Sequence, residues 1–428
     1  MLLGHRKHGY WTVLLVIFLA SCSLGIQSST STPGSQDSGL VLTSEPPSSS
    51  TPPPTSTPLP SPTPDLCPAS ASVPLPPLPG DFPAGYVEAL REYLSAGGDP
   101  TQINRILQEW QALIPQGDQF AQGDVTGDGA AEVVVAFINP QSETFPPAGV
   151  LAAYTCRNGS MARLYTYVPG QGLYPSVVGI QDLTDDGLPD LVFSVVSCGA
   201  HTCMRTVHVW SWTGSDFKEQ VSGDFTVPYP DFSLRDERIL ATTYGFGSVG
   251  AGPQRVITET WSWNGNVITQ SGETVAPPNY RYHAFVDGDE ALFAGNYDTA
   301  FDAYLQVLND DTLEPWAAAY DAREERLWLE ALAQWRLMAL GMELGNFPDA
   351  ESRYQVLQQD YSPQTPGYPV AQMAQHFWQQ YNTTGTVADG CRAAISAPEV
   401  EAVLQFLNSF GYANPTYSKE DLCPFRGS

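Results

Sequence analysis

Asp124-Val125-Thr126-Gly127-Asp128-Gly129-Ala130-Ala131-Glu132 recurs 58 residues later as Asp182-Leu183-Thr184-Asp185-Asp186-Gly187-Leu188-Pro189-Asp190. Each copy runs directly into an apolar, β-branched stretch, Val133–Phe137 in the first and Leu191–Val196 in the second. An acidic turn feeding a strand, used twice at fixed spacing, predicts a repeated β unit. Each unit then carries a hairpin signal: Tyr154–Gly159 with Asn158-Gly159, Trp210–Gly214, and a third at Trp261–Gly265 with Asn264-Gly265. Asn-Gly between strand-like runs is a strong tight-turn signal, because both residues tolerate positive φ. The third unit keeps its hairpin but loses the acidic loop, since Asp231 to Asp236 lacks the glycine and the spacing. The region 117–276 therefore predicts three four-stranded antiparallel units.

The chemistry of the acidic turn is specific. D-x-T-x-D-G-x-x-[D/E] gathers side-chain oxygens at positions one, three, five and nine and a carbonyl at seven, the oxygen shell that Ca²⁺ takes. Glycine at six permits the sharp bend. An EF-hand loop would place a bidentate glutamate at twelve and continue into a helix, whereas Val135 and Phe193 stand there and the chain continues as strand. The pattern resembles the FG-GAP or VCBS repeat of integrin-type propeller blades. That resemblance implies Asp124, Thr126, Asp128, Glu132, Asp182, Thr184, Asp186 and Asp190 as calcium ligands, with Ca²⁺ in a structural role. Threonine at the third position lowers ligand charge. Three units are fewer than the seven blades such propellers usually have, so the expected architecture is partial and propeller-like, as a ring or as an open array. The competing reading is an acidic Asx-turn that caps the strand without metal.

On either side of this region the periodicity is helical. Tyr86, Leu90, Tyr93 and Leu94 share one face, and Ile103, Ile106, Leu107 and Trp110 share another, predicting a two-helix segment over 81–116. From 277 to 428 helices return. Gly295-Asn296-Tyr297-Asp298-Thr299-Ala300 precedes Tyr304, and Gly345-Asn346-Phe347-Pro348-Asp349-Ala350 precedes Tyr354. Gly385, Val387, Gly390 and Ala394 echo them weakly. Glycine, aromatic, alanine and aromatic at these offsets resemble the second half of a tetratricopeptide repeat. There the glycine turns between paired helices and the alanine lets them approach. The spacings of 50 and 40 residues exceed the regular period of about 34, so these are helix-extended copies. The fold class expected is thus multidomain α and β, an antiparallel β-repeat followed by a tetratricopeptide-like helical domain.

The N-terminal region speaks to location. His5, Arg6, Lys7 and His8 precede a mostly apolar stretch from Tyr10 to Ala20, too short to span a bilayer comfortably. Leu19-Ala20-Ser21-Cys22 closes it as a lipobox, so residues 1–21 read as a lipoprotein signal peptide and Cys22 as the lipidated residue. Residues 22–80 are dominated by Ser, Thr and Pro and read as a disordered, extended linker. The implied location is the extracytoplasmic face of a cell membrane, held by lipid. Net charge is −27, and loss of Arg6 and Lys7 with the signal takes it to −29, which argues against nucleic acid and anionic headgroups as partners.

Apart from Cys22 there are six cysteines, an even number suited to an oxidising compartment. Cys198 and Cys203 would close a short loop, Cys391 and Cys423 bracket a helical stretch, and Cys67 and Cys156 remain to pair. The alternative is a metal site of Cys198, His201 and Cys203, which the absence of a second ligand pair disfavours.

Enzymatic signatures are lacking: there is no G-x-S-x-G, H-E-x-x-H or phosphate-binding glycine loop. Beyond the signal the histidines are His201, His208, His283 and His376, in unrelated contexts. The expectation is a non-catalytic binding or scaffolding protein whose partner is a protein or polysaccharide at the cell surface. The alternative is a surface hydrolase or carbohydrate-acting protein with a carboxylate site, and a solute-binding importer component ranks last. A cleft with two acids away from the acidic loops would favour the enzyme, and an aromatic-lined helical face the scaffold.

Overall fold

Alternation along one strand sets the architecture. In a computed structural model of the chain, which describes residues 67–68 and 71–425, Val133, Val135 and Phe137 face one way and Val134 and Ala136 the other. Both faces are buried, so this sheet is sandwiched, as the period of two requires when neither side meets water. The lipobox, Cys22 and most of the Ser/Thr/Pro tract lie outside the described residues.

Two helices come first, α1 (Ala84–Ser95) and α2 (Ile103–Glu109). Asp99 caps the short 3₁₀ turn Pro100–Gln102 between them by accepting from the Thr101 amide at 2.9 Å. The first sheet follows in sequential antiparallel order: β1 (Phe120–Gly123), β2 (Glu132–Ile138), β3 (Gly149–Arg157) and β4 (Ser160–Tyr167). The second contains β5 (Leu173–Gln181), β6 (Asp190–Cys198), β7 (Cys203–Trp212) and β8 (Phe217–Glu219), with β9 (Thr226–Pro228) also pairing β7. The third contains β10 (Asp231–Arg235), β11 (Arg238–Thr243), β12 (Ile257–Trp263) and β13 (Ile268–Val275).

The sheets stack face to face. Val133, Val135, Phe137 and Tyr154 pack with α1 and α2. Val134, Ala136 and Leu151 meet Leu191, Phe193 and Trp210 of the second sheet. On that sheet's opposite face, Val192, Val207 and Val209 meet Ile239, Ala241 and Trp261 of the third. Apolar side chains are thus removed from water on both faces of the first two sheets, which favours the stacked arrangement. The second unit has five strands where four were expected, because the chain after β8 returns to the free lower edge of β7.

Asn158 (φ 52°) and Gly159 (φ 74°) form the β3–β4 turn with both residues left-handed, as Asn-Gly signals. In place of an acidic loop, the third sheet turns from β10 to β11 through Asp236 and Glu237, both at positive φ.

The helical region comprises α3 (Arg281–Phe293), α4 (Tyr297–Asn309), α5 (Ala322–Glu343), α6 (Phe347–Asp360), α7 (Tyr368–Thr384), α8 (Val387–Ile395) and α9 (Val400–Leu407). α3 packs with α4, α5 with α6 and α7 with α8. Gly295, Gly345 and Gly385 end the first helix of each pair at φ 77°, 74° and 73°. In the first two pairs the glycine and following asparagine amides bond back to carbonyls of the last turn, closing a Schellman-type cap. Ala300, Ala350 and Ala394 are fully buried behind these turns. A Cβ at Gly288 would lie 2.5 Å from the Tyr304 ring, so only glycine allows this approach of α3 to α4. No described helix is long and apolar enough to cross a membrane.

Residues 71–80, expected to belong to the linker, depart from that expectation. Val73 and Leu75 pack on the α1–α2 core, and Trp110 Nε1 donates to the Pro76 carbonyl at 3.0 Å. Prolines without N–H groups lie along an apolar surface at little hydrogen-bonding cost, which composition alone does not reveal.

Candidate functional site

Both acidic loops are built alike. Positions four and six are left-handed in each: Gly127 (φ 75°) and Gly129 (φ 88°), Asp185 (φ 54°) and Gly187 (φ 85°). Aspartate tolerates this region better than most side chains, so the substitution at position four keeps the turn. The position-nine carboxylate folds inward under both loops. Glu132 Oε2 accepts the Val125 and Thr126 amides at 2.9 and 3.1 Å, and Asp190 Oδ2 accepts the Leu183 and Thr184 amides at 2.8 and 3.2 Å. Burial pushes both carboxyls above the usual range, and the bonds they accept offset part of that rise. Asp128 and Asp186, one in each loop, push in the same direction as burial.

The loops differ at position one. Asp124 has both oxygens engaged, Oδ1 by the Gly127 and Asp128 amides and Oδ2 by the Gly129 amide at 2.9 Å. In the second loop Asp182 Oδ2 accepts from Gly187 at 2.9 Å, while Oδ1 is buried with no hydrogen-bond partner. The Thr184 hydroxyl is also buried, beside Asp190 but making no aligned hydrogen bond with it. Two orphaned hard oxygens at positions one and three fit a hard cation's donor preference. Asp128 Oδ1 and Asp186 Oδ1 accept the amides two residues on, at 2.8 and 2.9 Å, as in Asx-turns. Among the described residues, no three His, Cys, Asp or Glu side chains are gathered closely enough to hold a metal ion. The first loop is thus self-satisfied as a turn; in the second, Asp182 and Thr184 keep unpaired oxygens, while Asp186 and Asp190 are engaged with backbone amides and the three carboxylates are not gathered around one point.

The cysteines lie at disulfide distance in the pairs Cys67–Cys156, Cys198–Cys203 and Cys391–Cys423, with Cα separations of 5.5, 4.0 and 5.4 Å. His201 sits in the Cys198–Cys203 loop, where its carbonyl accepts from Tyr229 Oη at 3.1 Å.

The other histidines are dispersed. His208 Nδ1 lies 2.7 Å from Glu219 Oε2, its ring stacked on Phe193. Glu219 escaped the sequence reading, since no motif marks it. Burial would raise its carboxyl, but His208 and the Val221 and Val209 amides hold it below its ordinary value. His283 is buried beside Asn279, and His376 lies 3.9 Å from Glu399.

On the helical region a row of partly exposed aromatics runs along α6 and α7. Tyr354 stacks on Trp378 at 4.8 Å, Tyr381 neighbours both Trp378 and Phe347, and Phe347 is 49 % exposed.

No family model, no curated protein and no solved structure matches this chain.

Proposed function

We propose that the chain is a lipid-anchored, extracytoplasmic, non-catalytic binding or scaffolding protein. In this reading the β units are FG-GAP/VCBS-like blades in an open array, stabilised by calcium at the acidic loops. The helical region is a tetratricopeptide-like interaction domain that takes a protein or polysaccharide partner at the cell surface. The observation that carries the binding role is the aromatic row Phe347, Tyr354, Trp378 and Tyr381, in which an exposed Phe347 adjoins three rings that are partly buried against the helical core, because clustered aromatics with an accessible edge are what partner surfaces use. The test is surface crosslinking of the intact chain against Trp378→Ala and Phe347→Ala variants. Loss of a specific crosslinked partner supports the role, and an unchanged pattern refutes it. The anchor is tested separately by fractionation of Cys22→Ser, which is expected to leave the membrane fraction.

A second reading, a surface hydrolase or carbohydrate-acting protein, is favoured by one feature. A cleft of about 600 Å³ away from the acidic loops carries Asp118 and Asp231 on its walls. Assay of the intact chain on glycan substrates separates the two readings, since turnover abolished by Asp118→Asn or Asp231→Asn would establish the hydrolase.

A further inference from the structure

The floor of that cleft is a buried cation. Arg205, on β7, is 7 % exposed and has no ion-pair partner among the described residues. Its Nε donates to Ser194 Oγ at 2.9 Å and its Nη2 to Ser176 Oγ at 2.8 Å, while the guanidinium carbon lies 4.7 Å from the centre of the Phe232 ring. Two neutral hydroxyls and a ring hold the group in place without neutralising it, and no hydrogen bond engages Nη1 among the described residues. A buried charge without an ion pair is costly, so Arg205 stands to gain from an anionic group that reaches it through the cleft.

The rim is shaped for this arrangement. Gly117 is left-handed at φ 90°, and a Cβ there would fall 2.0 Å from Ser176 Oγ and 2.9 Å from Arg205 Nη2. Asp118 and Asp231 are exposed on the wall and contribute to the field at Arg205, opposing the effect of its burial. Val177, Val178 and Phe232 supply the apolar part of the lining.

We infer that this cleft binds a small amino-carboxylate with apolar side chains, a short peptide in size, placing its carboxylate on Arg205 and its ammonium toward Asp118 and Asp231. The charge balance selects this class. A ligand with only negative charge would gain one cation and face two carboxylates. A neutral sugar would leave Arg205 buried and unpaired. A zwitterion satisfies both ends, and a carboxylate oxygen suits the unengaged Nη1 of a guanidinium whose Nε and Nη2 are fixed by Ser194 and Ser176. A volume of about 600 Å³ is in the ordinary range for small-molecule sites. No residue of the acidic loops or of the helical face lines this cleft.

The test is calorimetric titration of the full chain with leucyl-leucine, its methyl ester and its N-acetyl form. Saturable one-site binding of leucyl-leucine is expected, with each blocked form weaker by at least about tenfold, the effect of losing one charged contact. Arg205→Met is expected to abolish binding and Asp231→Asn to weaken it. Absence of saturable leucyl-leucine binding at millimolar concentration overturns the inference, as does equal binding of the blocked forms or unchanged binding by a folded Arg205→Met variant. Should that variant fail to fold, the three probes on the unaltered chain decide the matter alone.

Discussion

Glu132 and Asp190 occupy the same place in two successive sheets, each accepting the amides of loop positions two and three at 2.8–3.2 Å although their side chains differ by a methylene. The equivalence extends to a hydroxyl from a neighbouring strand: Thr155 on β3 donates to Glu132 Oε1 at 2.7 Å, and Ser211 on β7 donates to Asp190 Oδ1. The ninth position thus staples the turn to the strand behind it.

Glu132→Ala is therefore expected to destabilise the chain by about 1–3 kcal/mol for each buried donor left unpaired. Glu132→Gln keeps an acceptor oxygen and removes a charge that burial disfavours, so it should cost less than the alanine variant. Urea unfolding of both variants checks this ordering. Equal losses would mean that the contacts at position nine do not hold the loop.

A second buried network closes the helical core. Arg336 Nε lies 2.9 Å from Asp289 Oδ1, with side-chain exposures of 1 % and 2 %, and Arg336 Nη2 donates to Oδ2 at 2.9 Å. Tyr304 Oη donates to Asp289 Oδ1 at 2.5 Å, and Arg336 Nη1 reaches the Leu422 carbonyl at 2.8 Å. Asp289→Leu should cost about 3–5 kcal/mol by stranding the guanidinium, and adding Arg336→Met should recover a large part of that. Denaturant midpoints of the single and double variants test it. An additive further loss in the double variant would contradict it.

Titration of His283 gives a pH dependence with a definite sign. Burial, with a smaller contribution from Arg255, lowers its pKa from 6.5 to about 4, and Arg255 is itself paired with Asp287. Below pH 6.5 the unfolded chain takes up a proton that the folded chain refuses, so stability from this group is complete above pH 6.5 and is lost as pH falls toward about 4. His283→Gln should flatten that part of the profile. Parallel profiles for the two proteins over this window would show that His283 does not contribute.

Local signals carried most of what was legible in the sequence. The acidic loops, the Asn158-Gly159 turn and the glycines at 295, 345 and 385 each rest on backbone conformations that few residues adopt, so the residue names alone place them. What stayed hidden depends on convergence of distant segments. Arg205 gains meaning only when Ser176 and Ser194 come to it from β5 and β6, and β9 is too short to show a strand pattern. Nor could composition show that residues 71–80 lie on an apolar surface, because the α1–α2 core they cover is itself a tertiary product.

The most direct test of the central claim is thermal unfolding of the full chain with calcium and with a chelator, alongside Asp182→Asn and Asp186→Ala. At a hundredfold excess over Kd, a cation bound only to the folded state contributes about 2.7 kcal/mol, so the melting temperature should rise with calcium, and both variants should lose most of that rise. Because Asp182 Oδ1 and Thr184 Oγ1 are the oxygens without partners, the second loop should account for more of the effect than Asp124 and Asp128. Identical melting in millimolar calcium and in chelator would mean that both loops are plain acidic turns, and would contradict the calcium-stabilised reading.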